Sequence, residues 1–371
     1  MGKKPTLRDV ARLAAVSPST VSRVASGSAY VDPGIQSRVR AAAAQVGIDL
    51  TRAMKSRIIV FLLGNRDVLH RFQARILVGA EEYSTSHGWE LLFLSFRYPS
   101  TAVAATLSLP QVLSRRGATQ GVILGGTNHA NMLSALRDRR IPFSVLGNNV
   151  LGDWPPEQCD VVSSDDVQGG YEMTAHLISQ GHRDIWYVGD VRFPWFARVF
   201  QGYRRAMVDA GLPPHCSELR SDRQELGYLA TKQIIASRER VTAIFAGSDQ
   251  VAQGVYRALR SFELKIPDDI SVAGFNDTEG TLLDPALTTV REFPEELGRH
   301  LAEFVTTRIL NPDLESRQVS IPTELVTRES IRRRDVATRT DDPAAERLVK
   351  PRVTPIIYPR NSPVLTIVGA A

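Results

Sequence analysis

The chain has 371 residues, of which 43% are apolar and 23% charged, with a formal net charge of +5; this is the balance of a folded protein of two or three domains and excludes a disordered chain. No apolar run reaches the ~20 residues of a membrane helix, and the N-terminal MGKKPTLRDV has no secretory h-region, so a cytoplasmic protein without a membrane partner is expected. The charge is uneven: residues 1 to 57 hold ten Lys/Arg against three acids, residues 58 to 331 hold 27 against 33, and residues 332 to 371 hold eight against four, which puts a head suited to a polyanion on an acidic body.

Leu7, Val10, Ala11 and Ala14 recur at i, i+3, i+4 and i+7 and predict a short helix over Thr6 to Ala14, with Thr6 as N-cap and Asp9 three residues on. Ser17 reads as the next N-cap, with Pro18 at the first helical position and Val21 and Val24 turned inward. A third helix starts at Asp32 and Pro33, carries Ile35, Val39, Ala42 and Val46 on one face, and stops at Gly47. Two short helices joined by a tight turn, the second opening with small polar residues and bearing an arginine, form the layout of a DNA-reading helix-turn-helix. Pro18, Ser19, Ser22 and Arg23 are left exposed, and Arg23 can bridge guanine O6 and N7. The hydroxyls of Thr6, Ser17, Thr20 and Ser26 suit phosphate oxygens, helped by backbone N–H groups at the helix starts. A basic helical domain whose charges are merely solvated is the bland alternative.

The string TLRDVARLAAVSPSTVSRVASGSAYVDPGIQSRVRAAAAQVG, residues 6 to 47, resembles the DNA-binding head of the lactose-repressor/galactose-repressor (LacI/GalR) family of bacterial transcription regulators. The resemblance implies base contacts from Pro18, Ser19 and Arg23 and phosphate contacts from Thr6, Ser17, Ser22 and Ser26. A hinge helix that wedges a leucine into the minor groove should follow. Here the chain reads IDLTRAMKSRIIVFLL, so residues 49–57 form a shortened linker. Leu50 or Met54 is the candidate wedge, with Arg52, Lys55 and Arg57 on phosphates; a plain tether is the other reading.

From Ile58 onward, apolar runs alternate with helical patterns: IIVFLL, ELLFLSF, GVILGG, FSVLGN, DVVSS, DIWYVGD, TAIFAGSD and ISVAGFND. This βα repetition predicts an α/β body of two doubly wound parallel sheets over residues 58–331. The runs end in Asn65, Asn148, Asp165, Asp166, Asp190, Ser248, Asp249, Asn276 and Asp277, where open α/β sheets bind ligands, although some of these must serve as helix caps. Facing edges of this kind would make a cleft for a small polar molecule.

The blocks GAEEYSTSHGWELLF, GGYEMTAHLISQGHRDIWYVG, GYRRAMVDAGL, TAIFAGSDQVAQGVYRAL, KIPDDISVAGFND and ALTTVREFPEELGR resemble the same family's effector domain, which is similar to periplasmic sugar-binding proteins. That likeness implies lobe 1 over about 58–160 and 291–321 and lobe 2 over about 161–290 and 322–331, with crossings near Asp160, Val290 and Pro322. It places effector contacts on Phe72, Asp166, Ser248, Asp249 and Asn276. The pattern departs at Arg198, at Arg223 in place of a stacking ring, and at His70 to Gln73; Trp195 or Phe196 is then the candidate stacking ring. Arg198, Arg223, His70 and Arg97 leave an acidic sugar derivative open beside a neutral one.

Enzyme motifs are absent: there is no Walker loop, GxSxG, HExxH or GxGxxG after a strand. Cys159 and Cys216 have no metal or disulfide spacing, and no cofactor or metal is expected. The tail, 332–371, carries five prolines and no leucine heptad, and is expected to be disordered. The expectation is a homodimeric bacterial regulator, nucleoid-associated in the cytoplasm, that binds double-stranded DNA at a pseudo-palindromic operator under control of a sugar-like effector, most simply as a repressor of a carbohydrate operon. A small-molecule sensor whose head binds a protein is the alternative, given the altered hinge.

Overall fold

The computed structural model describes residues 6–26, 31–48, 50, 57–66, 70–115, 117–220 and 224–334. In the head, helices span Leu7–Leu13, Pro18–Ser26 and Pro33–Gln45. Thr6 opens the first, its backbone N–H and hydroxyl both donating to Asp9 Oδ2 at 2.9 and 2.7 Å; Asp32 opens the third by accepting from the N–H groups of Gly34 and Ile35. These caps satisfy donors that a helix start leaves without partners. Val10, Ala11, Ala14, Val21, Ala25, Val39, Ala42 and Ala43 close a small core. Ala15, in the turn between the first two helices, sits at φ 51°, a left-handed conformation that costs a residue with a Cβ about 1–2 kcal/mol.

The strands of the body are β1 (Ile58–Gly64), β2 (Glu90–Phe96), β3 (Gly121–Gly126), β4 (Asn128–His129), β5 (Phe143–Leu146), β6 (Val150–Leu151), β7 (Asp160–Ser164), β8 (Ile185–Val188), β9 (His215–Cys216), β10 (Ala243–Ala246), β11 (Ser271–Asn276), β12 (Thr288–Arg291), β13 (Gln318–Ile321) and β14 (Glu324–Val326). One six-stranded sheet has the order β13-β7-β5-β3-β1-β2 and a second the order β14-β12-β11-β10-β8-β9. Every neighbouring pair of the first sheet is parallel, as are β9–β8, β8–β10 and β10–β11 of the second.

The continuous apolar run of β1 follows from burial on both faces. Val60 and Leu62 pack with Val122, Leu124 and Met132 on one side, while Ile59 and Phe61 pack with Ile76, Leu297 and Leu301 on the other. On that second side, the helices Arg71–Ser86 and Pro294–Leu310 touch backbone to backbone. A Cβ on Gly79 would lie 1.9 Å from the Glu295 carbonyl oxygen, and one on Gly298 would lie 2.0 Å from that of Ile76.

The chain forms two units, one of residues 1–169, 191–198 and 291–324, the other of 170–190, 199–290 and 325–371. The first crossing therefore falls after Gly169 rather than near Asp160. The reason is hydrogen bonding: β7, expected to begin the second lobe, pairs with β5 and β13 of the first sheet. A further excursion, Val191–Arg198, joins the first unit and has no counterpart in the expected division.

Asp160 is locked in the first unit by Arg308, whose Nε and Nη2 each donate at 3.0 Å, and by the Arg317 N–H at 2.9 Å. The second unit packs Tyr187, Tyr203, Phe245 and Phe275 in its core. Its last described residues fasten to it: the Val272 N–H donates to the Ser330 carbonyl at 2.9 Å and the Arg334 N–H to the Gln180 carbonyl at 2.7 Å. Buried His182 has its pKa lowered to about 4, mainly by desolvation, so its imidazole is neutral and Nε2–H donates to the Arg332 carbonyl at 3.1 Å. The tail, expected to be disordered from residue 332, is held to this unit through Arg332 and Arg334; the rest of it, residues 335–371, lies outside the described residues.

Candidate functional site

The helix Pro18–Ser26 buries Val21 and Ala25 and leaves Pro18, Ser19, Ser22 and Arg23 exposed, because the inward positions recur every three to four residues. Ser17 lies at its start, where its Oγ accepts from the Thr20 N–H at 3.1 Å and lies 2.7 and 2.8 Å from the hydroxyls of Ser19 and Thr20. Three hydroxyls and a helix start thus share one corner, a ready arrangement for a phosphate oxygen. The Thr6 hydroxyl belongs to its capping box and donates to Asp9. The side chain of Ser26 and all of Met54 lie outside the described residues.

Leu50 corrects an expectation. It is 9% exposed and packs against the head core, so in this structure it completes the head instead of standing free as a minor-groove wedge. Its spacing from the third helix suits a core lid, which the linker reading passed over.

At the carboxyl edge of the first sheet, one group of residues follows β1 and β3. The Arg66 Nε donates to Thr127 Oγ1 at 3.1 Å, and its guanidinium lies 4.5 Å over the Trp195 ring. Trp195 also stacks on Phe193 at 4.8 Å. The expected sugar-stacking ring therefore already has an arginine over it and an aromatic neighbour. Phe72 is half-buried, packs on the core under β1 and stacks with His70 at 6.5 Å.

A second group follows β5 and β7. Asn148 Oδ1 accepts from the Ser164 N–H at 2.9 Å, which fixes its amide so that Nδ2 donates to the Ser164 carbonyl and to Asp166 Oδ2. The Ser164 hydroxyl lies 2.6 Å from Asp166 Oδ1 and 2.5 Å from Glu292 Oε1. Burial pushes the Asp166 carboxyl up to about 6, against the lowering pull of Ser164, Asn148 and the nearby Arg198. Arg198 reaches the Gly147 carbonyl at 3.5 Å. Glu292 was missed from the sequence, yet it directly follows β12, so the rule that singled out the other strand ends would have found it had TTVR been read as a strand.

The second unit has its own carboxyl edge. Ser248 is an N-cap whose Oγ accepts from the Val251 N–H at 3.2 Å. Asp249 is fully buried; its Oδ1 accepts from Thr289 Oγ1 at 2.7 Å and its Oδ2 from the Glu279 N–H at 3.0 Å. Burial pushes this carboxyl up to about 7. Asp249 is thus a correction: both oxygens hold the loop after β11 in place, and the residue presents neither to an effector. Asn276 and Asp277 turn that loop at φ 100° and 51°, and Asp277 is paired with Arg328 at 2.7 Å. Arg223 lies outside the described residues.

Among the described residues no group of three or more His, Cys, Asp or Glu side chains could hold a metal ion, and no helix is long and apolar enough to cross a membrane.

Residues 6–47 match the family described as bacterial regulatory proteins, lacI family, and residues 174–331 match the periplasmic binding protein-like domain. The ribose operon repressor of Haemophilus influenzae is 29% identical over 88% of this chain and 98% of its own length. The transcriptional repressor PurR of Vibrio campbellii is also 29% identical, over 88% of this chain and 99% of its own. Among solved structures, a CelR–cellobiose complex aligns over 88% of this chain and 99% of that one, with a TM-score of 0.65 at 26% identity. The lac repressor dimer bound to operator and an anti-inducer shares the fold, with a TM-score of 0.69 at 20% identity over 89% of this chain and 100% of that one. A lacI-family helix-turn-helix head on a periplasmic-binding-protein-like α/β body, similar along nearly the full length of these relatives to lacI-family repressors, is the build of a DNA-binding transcriptional regulator rather than an enzyme.

Proposed function

We propose that the chain is a homodimeric repressor of a carbohydrate-utilisation operon, working in the bacterial cytoplasm on the nucleoid, whose hold on a pseudo-palindromic operator is set by a small hydroxyl-rich effector. The observation that carries the DNA half of this reading is the outer face of Pro18–Ser26, where Ser19, Ser22 and Arg23 are exposed while Val21 and Ala25 are buried. One such helix reads few base pairs, and two-fold symmetry doubles the site. Large apolar side chains exposed at Val78, Leu92 and Phe93 in the first unit and at Leu229 and Leu282 in the second suit coverage by a second copy.

The effector is assigned to Asn148, Asp166 and Arg198 at the edge of the first unit's sheet, with Phe72 and Trp195 as apolar neighbours; Ser248 and Asn276 are the corresponding candidates within the second unit. The named specificities of the relatives, ribose and cellobiose, support a sugar. Arg198 faces Asp166 and a backbone carbonyl, so its charge is already answered, which favours a neutral sugar over an acidic one. Selection of binding sites from random DNA tests the head. Arg23→Ala should cost about 1–3 kcal/mol and relax preference at one base per half-site, whereas Ser22→Ala weakens all sequences alike. Affinity should fall steeply with salt, since the basic head is presented twice. A flat salt response with no selected sequence would favour the protein-binding head instead.

A further inference from the structure

In the second unit, the turn between the helix Asp249–Ser261 and β11 borders an open cavity of about 350 Å³, whose lining includes none of the residues assigned to the effector. Its apolar floor is Tyr256, Leu264 and Ile266, the first two buried and the third half-buried. The Tyr256 hydroxyl donates to the Pro285 carbonyl at 3.0 Å, so its polar end is satisfied and the ring counts as apolar surface. Around the floor stand Arg260, Glu263, Lys265 and Asp284, all exposed; among the described residues none of these four is in an ion pair. Two charges of each sign beside an apolar floor suit a partner that brings both signs and an apolar centre. The remaining wall is Asp268, and the chain itself comes to it after β14. Arg332 Nη1 donates to Asp268 Oδ1 at 3.1 Å, the Arg332 N–H to Ser271 Oγ at 3.1 Å, and Arg334 Nη2 to the Asp269 carbonyl at 2.7 Å.

We propose that segment 341–352 of the same chain, DDPAAERLVKPR, docks in this cavity, a contact separate from DNA and effector binding. The segment lies outside the described residues, and its sequence carries the match. Asp341, Asp342 and Glu346 come first, and Arg347, Lys350 and Arg352 flank the apolar pair Leu348 and Val349. The acids then face Arg260 and Lys265, and the bases face Glu263 and Asp284. Exposed ion pairs contribute little; burial of Leu348 and Val349 against Tyr256, Leu264 and Ile266 supplies the attraction, and the charges set its direction. Pro343 and Pro351 reduce the conformational freedom lost on docking. Proximity selects this segment over a second copy. Asp341 follows Arg334 by seven residues, a tether that spans at most about 25 Å from a point already beside the Asp268 wall. So short a link holds the segment at an effective concentration on the order of millimolar, and even weak docking is then populated.

The test uses the full chain and reads hydrogen exchange by mass spectrometry. In the wild type, the backbone amides of residues 344–350 should exchange at least about tenfold more slowly than in a free peptide of residues 341–352. Leu348→Asp in the segment and Ile266→Asp in the cavity should each raise exchange to the free-peptide rate, while unchanged exchange in β10 and β11 shows that the unit stays folded. Free-peptide exchange in the wild type, or protection that survives both substitutions, would overturn the docking. A cysteine pair locates the contact independently. Under mild oxidation, the chain carrying Leu348→Cys with Ile266→Cys should form its disulfide at least about tenfold faster than one carrying Leu348→Cys with Ser179→Cys. Ser179 is exposed and adjoins the Gln180 that holds Arg334, so it is equally close to the tether. Equal rates would overturn the assignment to this cavity. The linked product should run as a single chain on a denaturing gel; covalent dimers in its place would give the segment to a second copy and overturn the contact within one chain.

Discussion

Asp166 in the first unit and Asp249 in the second each lie just past the carboxyl end of a strand of their sheet, β7 and β10. Each begins the helix after a strand, and each is buried with a raised pKa. Their partners differ in kind. Asp249 accepts from a hydroxyl and a backbone N–H, so its bonding is complete and it serves to hold the β11 loop. Asp166 shares its hydroxyl donor with a second acid and takes a further bond from the Asn148 amide. Topological position brings a polar residue to the edge, and the neighbouring donors and acids decide whether it becomes scaffold or recognition.

The largest expected effect comes from an acid that is scaffold beyond doubt. Asp160→Ala removes the shared partner of Arg308 and Arg317 from a site where the aspartate side chain is 1% exposed, and breaking such a buried pair should cost about 3–5 kcal/mol, read from urea unfolding. Asp249→Ala leaves the Thr289 hydroxyl and the Glu279 N–H without their acceptor. A loss of about 1–3 kcal/mol is expected, and a change below a few tenths would return Asp249 to the effector edge. The subtlest contrast is in pH. The Asp249 carboxyl is raised in the folded chain, so its stabilising contribution is full below the unfolded value near 3.8 and disappears as pH rises through about 7. Asp249→Asn keeps an acceptor for the Glu279 N–H and should flatten that part of the profile; an unaltered slope between about pH 5 and 8 would show that the carboxyl is ionised throughout.

The head was legible because its signals are local. Thr6, Asp9, Asp32 and Pro33 mark helix starts within a turn, and the spacing of Val10, Ala14, Val39 and Ala42 announces the buried face. The alternation of apolar runs likewise announced the parallel sheets. Strand partners were less visible: β7 reads as well for one sheet as for the other, and only its hydrogen bonds to β5 and β13 place it. At the site, the strand-end rule found Asn148 and Asp166 but could not tell that Asp249 faces inward, since its Thr289 partner lies 40 residues away. Trp195 was a reasonable stacking ring until Arg66, from 129 residues earlier, was found over it.

The five chain crossings have a consequence for synthesis. Residues 6–50 contain the whole core of the head, so it can close as soon as it emerges. Neither sheet has that freedom. β7 waits for β13, which ends at Ile321, and the Val272 N–H of β11 waits for Ser330. A nascent chain stopped before residue 318 would carry a finished DNA-reading head on two open-edged sheets, the form in which strand edges pair with the wrong neighbour. Completion of the body is thus gated by the last described residues to leave the ribosome, from Gln318 to Arg334, and the cell meets a competent head well before the domain that is to govern it.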